Sequence, residues 1–91
     1  MAKYQRKEQE IENACKVLAR SRGWLMWKNV PDGLRGIPDC SLMSGDGTRF
    51  FFVEFKTPKG VMSAAQKVWQ KRFPAIYRLV RNIDDFSMLL D

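Results

Sequence analysis

Ninety-one residues, 45% hydrophobic and 29% charged, make one small domain over residues 1–91 that is too apolar for disorder and buries only about 60–65% of its unfolded surface. The absence of histidine excludes His-based zinc sites, Ser-His-Asp triads and histidine general bases together. A formal charge of +6 and a pI near 9.7 favour a polyanionic partner.

Cys15 and Cys40 have no metal-ligand spacing and read as buried thiols in a reducing, cytoplasmic compartment. No run approaches the roughly 20 apolar residues of a membrane span, and no signal-peptide pattern opens the chain. Neither a membrane nor an organic cofactor is expected.

After a frayed start carrying Lys3, Arg6 and Lys7, periodicity predicts a helix from about Gln5 to Arg22, with Ile11, Ala14, Cys15 and Leu18 as its apolar stripe. Gly23 is its stop, and Arg20 and Arg22 suit its C-terminal end. Glu8, Glu10 and Glu12 suit its N-terminal half. At 100° per residue, Glu8 and Glu12 flank one edge of the stripe and Glu10 the other.

Trp24–Val30 is short, apolar and aromatic, and predicts the first strand. A loop from Pro31 to Gly36 follows, in which Pro31-Asp32-Gly33 reads as turn chemistry. Lys28 and Arg35 would reach the phosphates of a polyanionic partner from this region, unless the loop is an ordinary connection.

The stretch Gly36–Lys56 holds two apolar runs around Ser44-Gly45-Asp46-Gly47-Thr48-Arg49. Asp-Gly is a strong hairpin signal, and a type I′ turn with Asp46 and Gly47 as loop residues is predicted. Counting outward sets Met43 opposite Phe50, Ser41 opposite Phe52 and Asp39 opposite Glu54. Opposed residues share a face, and Lys56 lies two further on, on the same face. Two opposed carboxylates repel, and a shared proton or a bound cation relieves that cost. Hard oxygen donors suit Mg²⁺ or Mn²⁺. The competing reading is a surface hairpin with a solvated Glu54–Lys56 edge. Phe51, Val53 and Phe55 form the strand's core face.

Thr57-Pro58-Lys59-Gly60 breaks the strand. Ser63-Ala64-Ala65-Gln66 has capping-box form and opens a helix with Ala65, Val68, Trp69 and Phe73 as buried stripe, ended by Pro74. Lys67, Lys71 and Arg72 lie off that stripe, to follow a phosphate backbone or merely to solvate the helix. Ala75–Val80 alternates as the last strand. Asn82 caps a short final helix, with Asp84 and Asp85 in its first turn and Ile83, Phe86 and Leu90 inward. The order is α-β-β-β-α-β-α: an α/β core with a mixed sheet flanked by helices.

The run Gly36-Ile37-Pro38-Asp39, the hairpin, Glu54-Phe55-Lys56, Thr57-Pro58-Lys59-Gly60 and Ser63-Ala64-Ala65-Gln66 with Trp69 resembles the PD-(D/E)XK nucleases. Within them it is similar to the small stand-alone form of the VRR-NUC (virus-type replication-repair nuclease) domain. The resemblance implies a restriction-endonuclease-like core and hydrolysis of DNA phosphodiesters with Mg²⁺ or Mn²⁺. It implies Asp39, Glu54 and the backbone carbonyl of Phe55 as metal ligands, and Lys56 as the group that orients or activates the attacking water. A glutamate of the first helix faces the metal through water: Glu12 fits the family's placement best, with Glu8 the alternative. Gln66 gains a place at the active-site edge beside its capping role. Lys28, Arg35, Lys59, Lys67 and Lys71 are the candidate DNA contacts. Branched or four-way junction DNA and a homodimer with paired sites are the expected partners. Three tryptophans and six phenylalanines in so short a chain independently suggest an apolar patch left at an edge. The rival classes are a non-catalytic DNA-binding module that keeps the nuclease fold, and a small interaction protein with incidental basicity.

Overall fold

The computed structural model describes residues 3–30 and 34–91, with side chains on the first helix from residue 7 onward. The expected Pro31-Asp32-Gly33 turn, the fraying of residues 1–2 and the side chains of Lys3 and Arg6 lie outside what is described. The elements are α1 Lys3–Ser21, β1 Leu25–Lys28, β2 Cys40–Met43, β3 Phe50–Phe55, α2 Ala64–Arg72, β4 Tyr77–Val80 and α3 Ile83–Leu89. This is the predicted order, with strands shorter at their ends than the apolar runs suggest. The sheet order is β1-β2-β3-β4. Its first two pairings are antiparallel and β3–β4 is parallel, because α2 carries the chain across between β3 and β4.

β3 therefore has a neighbour on each side, and Val53, Glu54 and Phe55 are all buried. Cys15 and Ala19 of α1 and Phe86 and Leu90 at the C-terminal helix close over Leu42, Val53, Phe55 and Val80 in one core. The helix stripe is rotated from the predicted one. Cys15 and Ala19, four apart, point inward, Ile11 and Leu18 flank them, and Ala14 is exposed. α2 lies on the opposite sheet face. There Trp69 and Phe73 meet the Phe52 ring at centroid distances of 5.7 and 6.2 Å, since side chains alternate along a strand.

Two predicted core positions are corrected here. Val68 is 62% and Ile83 39% exposed. Helix α2 has no fully buried residue; it rests on the sheet through half-buried Ala65, Trp69 and Phe73, so Val68 faces outward.

The hairpin register is as predicted: Met43 pairs with Phe50, Ser41 with Phe52 and Cys40 with Val53. The turn is not the expected type I′. That turn needs positive φ at both central residues, and no described non-glycine residue has one. Instead Ser44 N–H donates to the Arg49 carbonyl at 3.0 Å, and Gly47 N–H to the Ser44 carbonyl at 2.9 Å. Asp46 accepts from the hydroxyls of Ser44 and Thr48, both at 2.7 Å, and from Thr48 N–H at 3.0 Å. Those bonds, that from Ser44 foremost, hold its carboxyl down to about 2. The loop is thus Gly45–Thr48, one residue longer on each side. A symmetric extension leaves the register unchanged, which is why the pairing survives the wrong turn.

Candidate active site

The antiparallel ladder of β2 and β3 ends at Cys40–Val53, and the next pair outward is Asp39 and Glu54. Here the carboxylates take over from the backbone. Asp39 N–H donates to Glu54 Oε2 at 3.0 Å, and Phe55 N–H donates to Asp39 Oδ2 at 2.8 Å. The opposite flank of Asp39 is fixed from β1: Asn29 N–H bonds the Asp39 carbonyl at 2.9 Å. Asn29 Nδ2 bonds the Pro38 carbonyl at 3.0 Å, and Ser41 Oγ holds Asn29 Oδ1 at 2.9 Å.

Burial dominates the electrostatics. Glu54 is 2% exposed, and burial first, then the Asp39 charge, pushes its pKa up to about 8 against the opposing pull of Asp39 N–H and Lys56. Asp39 is also raised, by burial first. Phe55 N–H and Lys28 lower it, while Glu12 and Glu8 add to the rise. The partner of Glu54 from α2 is Gln66, whose Nε2 donates to Glu54 Oε1 at 2.6 Å. The same side chain completes the capping box: its Oε1 accepts Ser63 N–H at 2.8 Å, and Ser63 Oγ accepts Gln66 N–H at 3.1 Å. One amide thus closes the helix cap and also reaches Glu54.

Burial raises both carboxyls, and the Asp39 charge adds to the rise of Glu54; two such neighbouring oxygen donors could hold a hard divalent cation. Among the described residues no hydrogen bond reaches the second oxygen of Asp39, which leaves a donor atom to offer. No group of three or more Asp, Glu, Cys or His side chains among the described residues is arranged to hold a metal ion. Phe55 buries its ring in the core and meets the site through its backbone. Lys56 follows, half-buried, its N–H fixed by the Val80 carbonyl at 3.0 Å.

Glu12 and Glu8 both lie close enough to raise Asp39. Glu12 is ion-paired with Lys28 at 3.2 Å, and Glu10 is exposed. Partial burial pulls the Lys28 pKa down, but its bond to Glu12 and the Glu12 and Asp39 charges raise it on balance. Of the other candidate DNA contacts, Arg35, Lys59, Lys67 and Lys71 are all exposed. Trp69 Nε1 bonds the Arg35 carbonyl at 3.0 Å, which ties that loop to α2.

Four further residues bear on the site, of which only Gly36 figured in the sequence motif. Asn29 locks Asp39, as described. Gly36 has φ +75, and a Cβ there would lie 2.5 Å from the Ala65 backbone; the loop before Asp39 packs directly on the first turn of α2. Arg81 Nη1 spans the carbonyls of Thr57, Pro58 and Gly60 at 2.6, 3.3 and 2.8 Å, bracing the segment after Lys56. Tyr77 is buried with an unpartnered hydroxyl among the described residues; burial first, then the Glu54 and Asp39 charges, raises its pKa. Only Gly36 left a local signal, its place two residues before Pro38.

A mixed sheet carrying paired carboxylates and a lysine at the end of a hairpin defines a nuclease-like α/β domain. The family model for the VRR-NUC domain matches residues 2–75. The chain belongs to the VRR-NUC family, which implies a nuclease-type function with DNA as substrate. A solved structure described as a VRR_NUC domain shares the fold, with a TM-score of 0.79 over 92% of this chain and 94% of that one, at 24% identity. Comparison with curated proteins gives no match.

Proposed function

We propose that the chain is a Mg²⁺- or Mn²⁺-dependent DNA endonuclease centred on Asp39, Glu54 and Lys56. The observation that carries this reading is the crossed Asp39–Glu54 pair, in which Glu54 is buried and pushed up to about 8. Such a pair is costly in a fold that does not use it. A bound divalent cation supplies Lewis acidity at the scissile phosphodiester and at the attacking water.

The chain's own groups do the rest. Asp39 and Glu54 hold the cation, with the Phe55 carbonyl as a further donor by family likeness. Lys56 orients the attacking water and stabilises charge gathering on the phosphate. Gln66 fixes the rotamer of Glu54 from α2. Glu12, steadied by Lys28, orders water at the rim. Arg35, Lys59, Lys67 and Lys71 track the phosphate backbone.

The test is cleavage of duplex, nicked, flap and four-way junction DNA with Mg²⁺ or Mn²⁺ against EDTA. Cation-dependent cleavage abolished in Asp39→Asn and Glu54→Gln is expected, with faster turnover on branched DNA. Salt-dependent DNA binding without cleavage of any substrate overturns the enzyme reading in favour of a binding module.

Assembly as a homodimer fits the apolar surface. Leu25 is 58% and Trp27 44% exposed on β1, an edge strand of the sheet, and exposed apolar edges pair. Two-fold self-association is the commonest outcome and would set two sites for paired cuts. Sedimentation in high salt without DNA checks this; a single species near 10.6 kDa rules it out.

A further inference from the structure

Along its C-terminal half, α2 leaves a hollow that phosphodiester hydrolysis does not use. Val68, Trp69, Arg72 and Phe73 line a cavity of about 270 Å³. Pockets for drug-sized ligands run to about 300–1,000 Å³, so this one suits a single planar ring system. Two of its four lining residues are aromatic, the Trp69 and Phe73 centroids lying 5.5 Å apart, and behind them Phe52 meets Trp69 edge-on at 5.7 Å. The Arg72 guanidinium sits 5.8 Å over the Phe73 ring.

Position and charge narrow the occupant. Phe52 shares its face with Glu54 two residues on, roughly 7 Å along the strand. Trp69 follows Gln66 by three residues, roughly 4.5 Å along the helix. The hollow is thus a short step from the carboxylate pair. Helix α2 carries Lys67, Lys71 and Arg72 and no acidic residue. An apolar protein segment gains nothing from that fringe, whereas a nucleic-acid strand gains phosphate contacts from it as its base stacks on the rings.

We propose that this hollow receives an unpaired nucleobase of the bound DNA strand, close to the scissile phosphate, so that DNA with a splayed or single-stranded nucleotide there is preferred. A paired base cannot enter, because its faces and its Watson–Crick edge are engaged in the duplex. This subsite rests on the nuclease reading for its role, and on binding for its test.

The probe is a fluorescein-labelled duplex with a short single-stranded gap, titrated in EDTA at low salt, with an abasic residue moved along the gap. At one position the abasic residue weakens binding to the wild-type protein about tenfold, the scale of one base–aromatic stack. Val68→Asp, at a position 62% exposed, keeps the fold but erases that penalty. No penalty at any position, or one undiminished in Val68→Asp, overturns the proposal. So does sedimentation in which the wild type self-associates and Val68→Asp is monomeric, since the hollow is then a protein interface. Cleavage without a penalty sinks the subsite and spares the nuclease; a penalty without cleavage does the reverse.

Discussion

Asp39 and Glu54 meet through crossed bonds in which each carboxylate accepts a backbone N–H from the opposite strand, Glu54 from Asp39 and Asp39 from Phe55. These bonds take the place of the next rung of the ladder. They hold two acidic groups together where burial raises both and the Asp39 charge further favours protonation of Glu54. The strand pairing thereby keeps a charge conflict in place that the fold alone does not relieve.

That conflict sets the stability of the cation-free protein against pH. The Glu54 pKa is raised from an ordinary value near 4.5 to about 8, so the folded state binds a proton more tightly than the unfolded chain. Stability then falls as pH rises from about 4.5 through 8, by on the order of a few kcal/mol. In EDTA the melting temperature is expected to drop between pH 5 and pH 8. Glu54→Gln should flatten that slope and melt higher at pH 8, while Mg²⁺ should restore the wild type. A melting temperature independent of pH would remove the basis for the charge conflict.

Lys56 is expected to act in turnover more than in binding. Its backbone is fixed by Val80, and its charge already opposes the rise of the Glu54 pKa. Lys56→Ala should lower kcat by about a hundredfold or more, the scale of a positioned electrostatic or proton-transfer group. Affinity for DNA, measured in EDTA by anisotropy, should change severalfold at most. Normal turnover with poor binding would reassign the residue to phosphate contact.

Gln66 separates capping from catalysis by comparison with Ser63. Both residues close the capping box, but only Gln66 reaches Glu54, at 2.6 Å. Ser63→Ala and Gln66→Ala should each cost about 1 kcal/mol in urea unfolding. Only Gln66→Ala should also depress kcat, because Glu54 then loses its partner from α2. Equal activity in the two variants would leave Gln66 as a cap alone.

What was legible in the chain follows the range of the interactions. The register of β2 and β3 could be counted because the loop is symmetric about Asp46-Gly47, whatever the turn type. The N-caps of α2 and α3 could be read because Ser63 and Asn82 bond within three residues of themselves. Val68 was misread because a period of 3.6 says which residues share a face but not how wide a surface waits beneath. The roles of Asn29 and Arg81 were invisible: their partners lie nine to twelve and 21 to 24 residues away, and neither residue type signals a clamp. The carboxylate pair was legible twice, from register arithmetic and from family likeness. The crossed bonds that lock it were not, since they form where the regular ladder stops.

Gly36 offers the sharpest test of how the site is assembled. Gly36 and Gly47 have nearly the same backbone angle, φ +75 and +74, but a Cβ on Gly47 meets nothing within 4 Å while one on Gly36 lands 2.5 Å from the Ala65 carbonyl carbon. Gly47→Ala carries only the left-handed penalty, about 1–2 kcal/mol. Gly36→Ala adds a clash with backbone that cannot rotate away, for a total of about 3 kcal/mol or more. Relief would have to come from shifting the loop before Asp39 away from α2, which carries Gln66 toward Glu54. Gly36→Ala is therefore expected to lower activity beyond its loss of stability, measured at a temperature where the variant is still fully folded. Gly47→Ala should retain wild-type turnover there. If the two variants unfold alike and cleave alike, the contact between Gly36 and α2 does not set the geometry of the site.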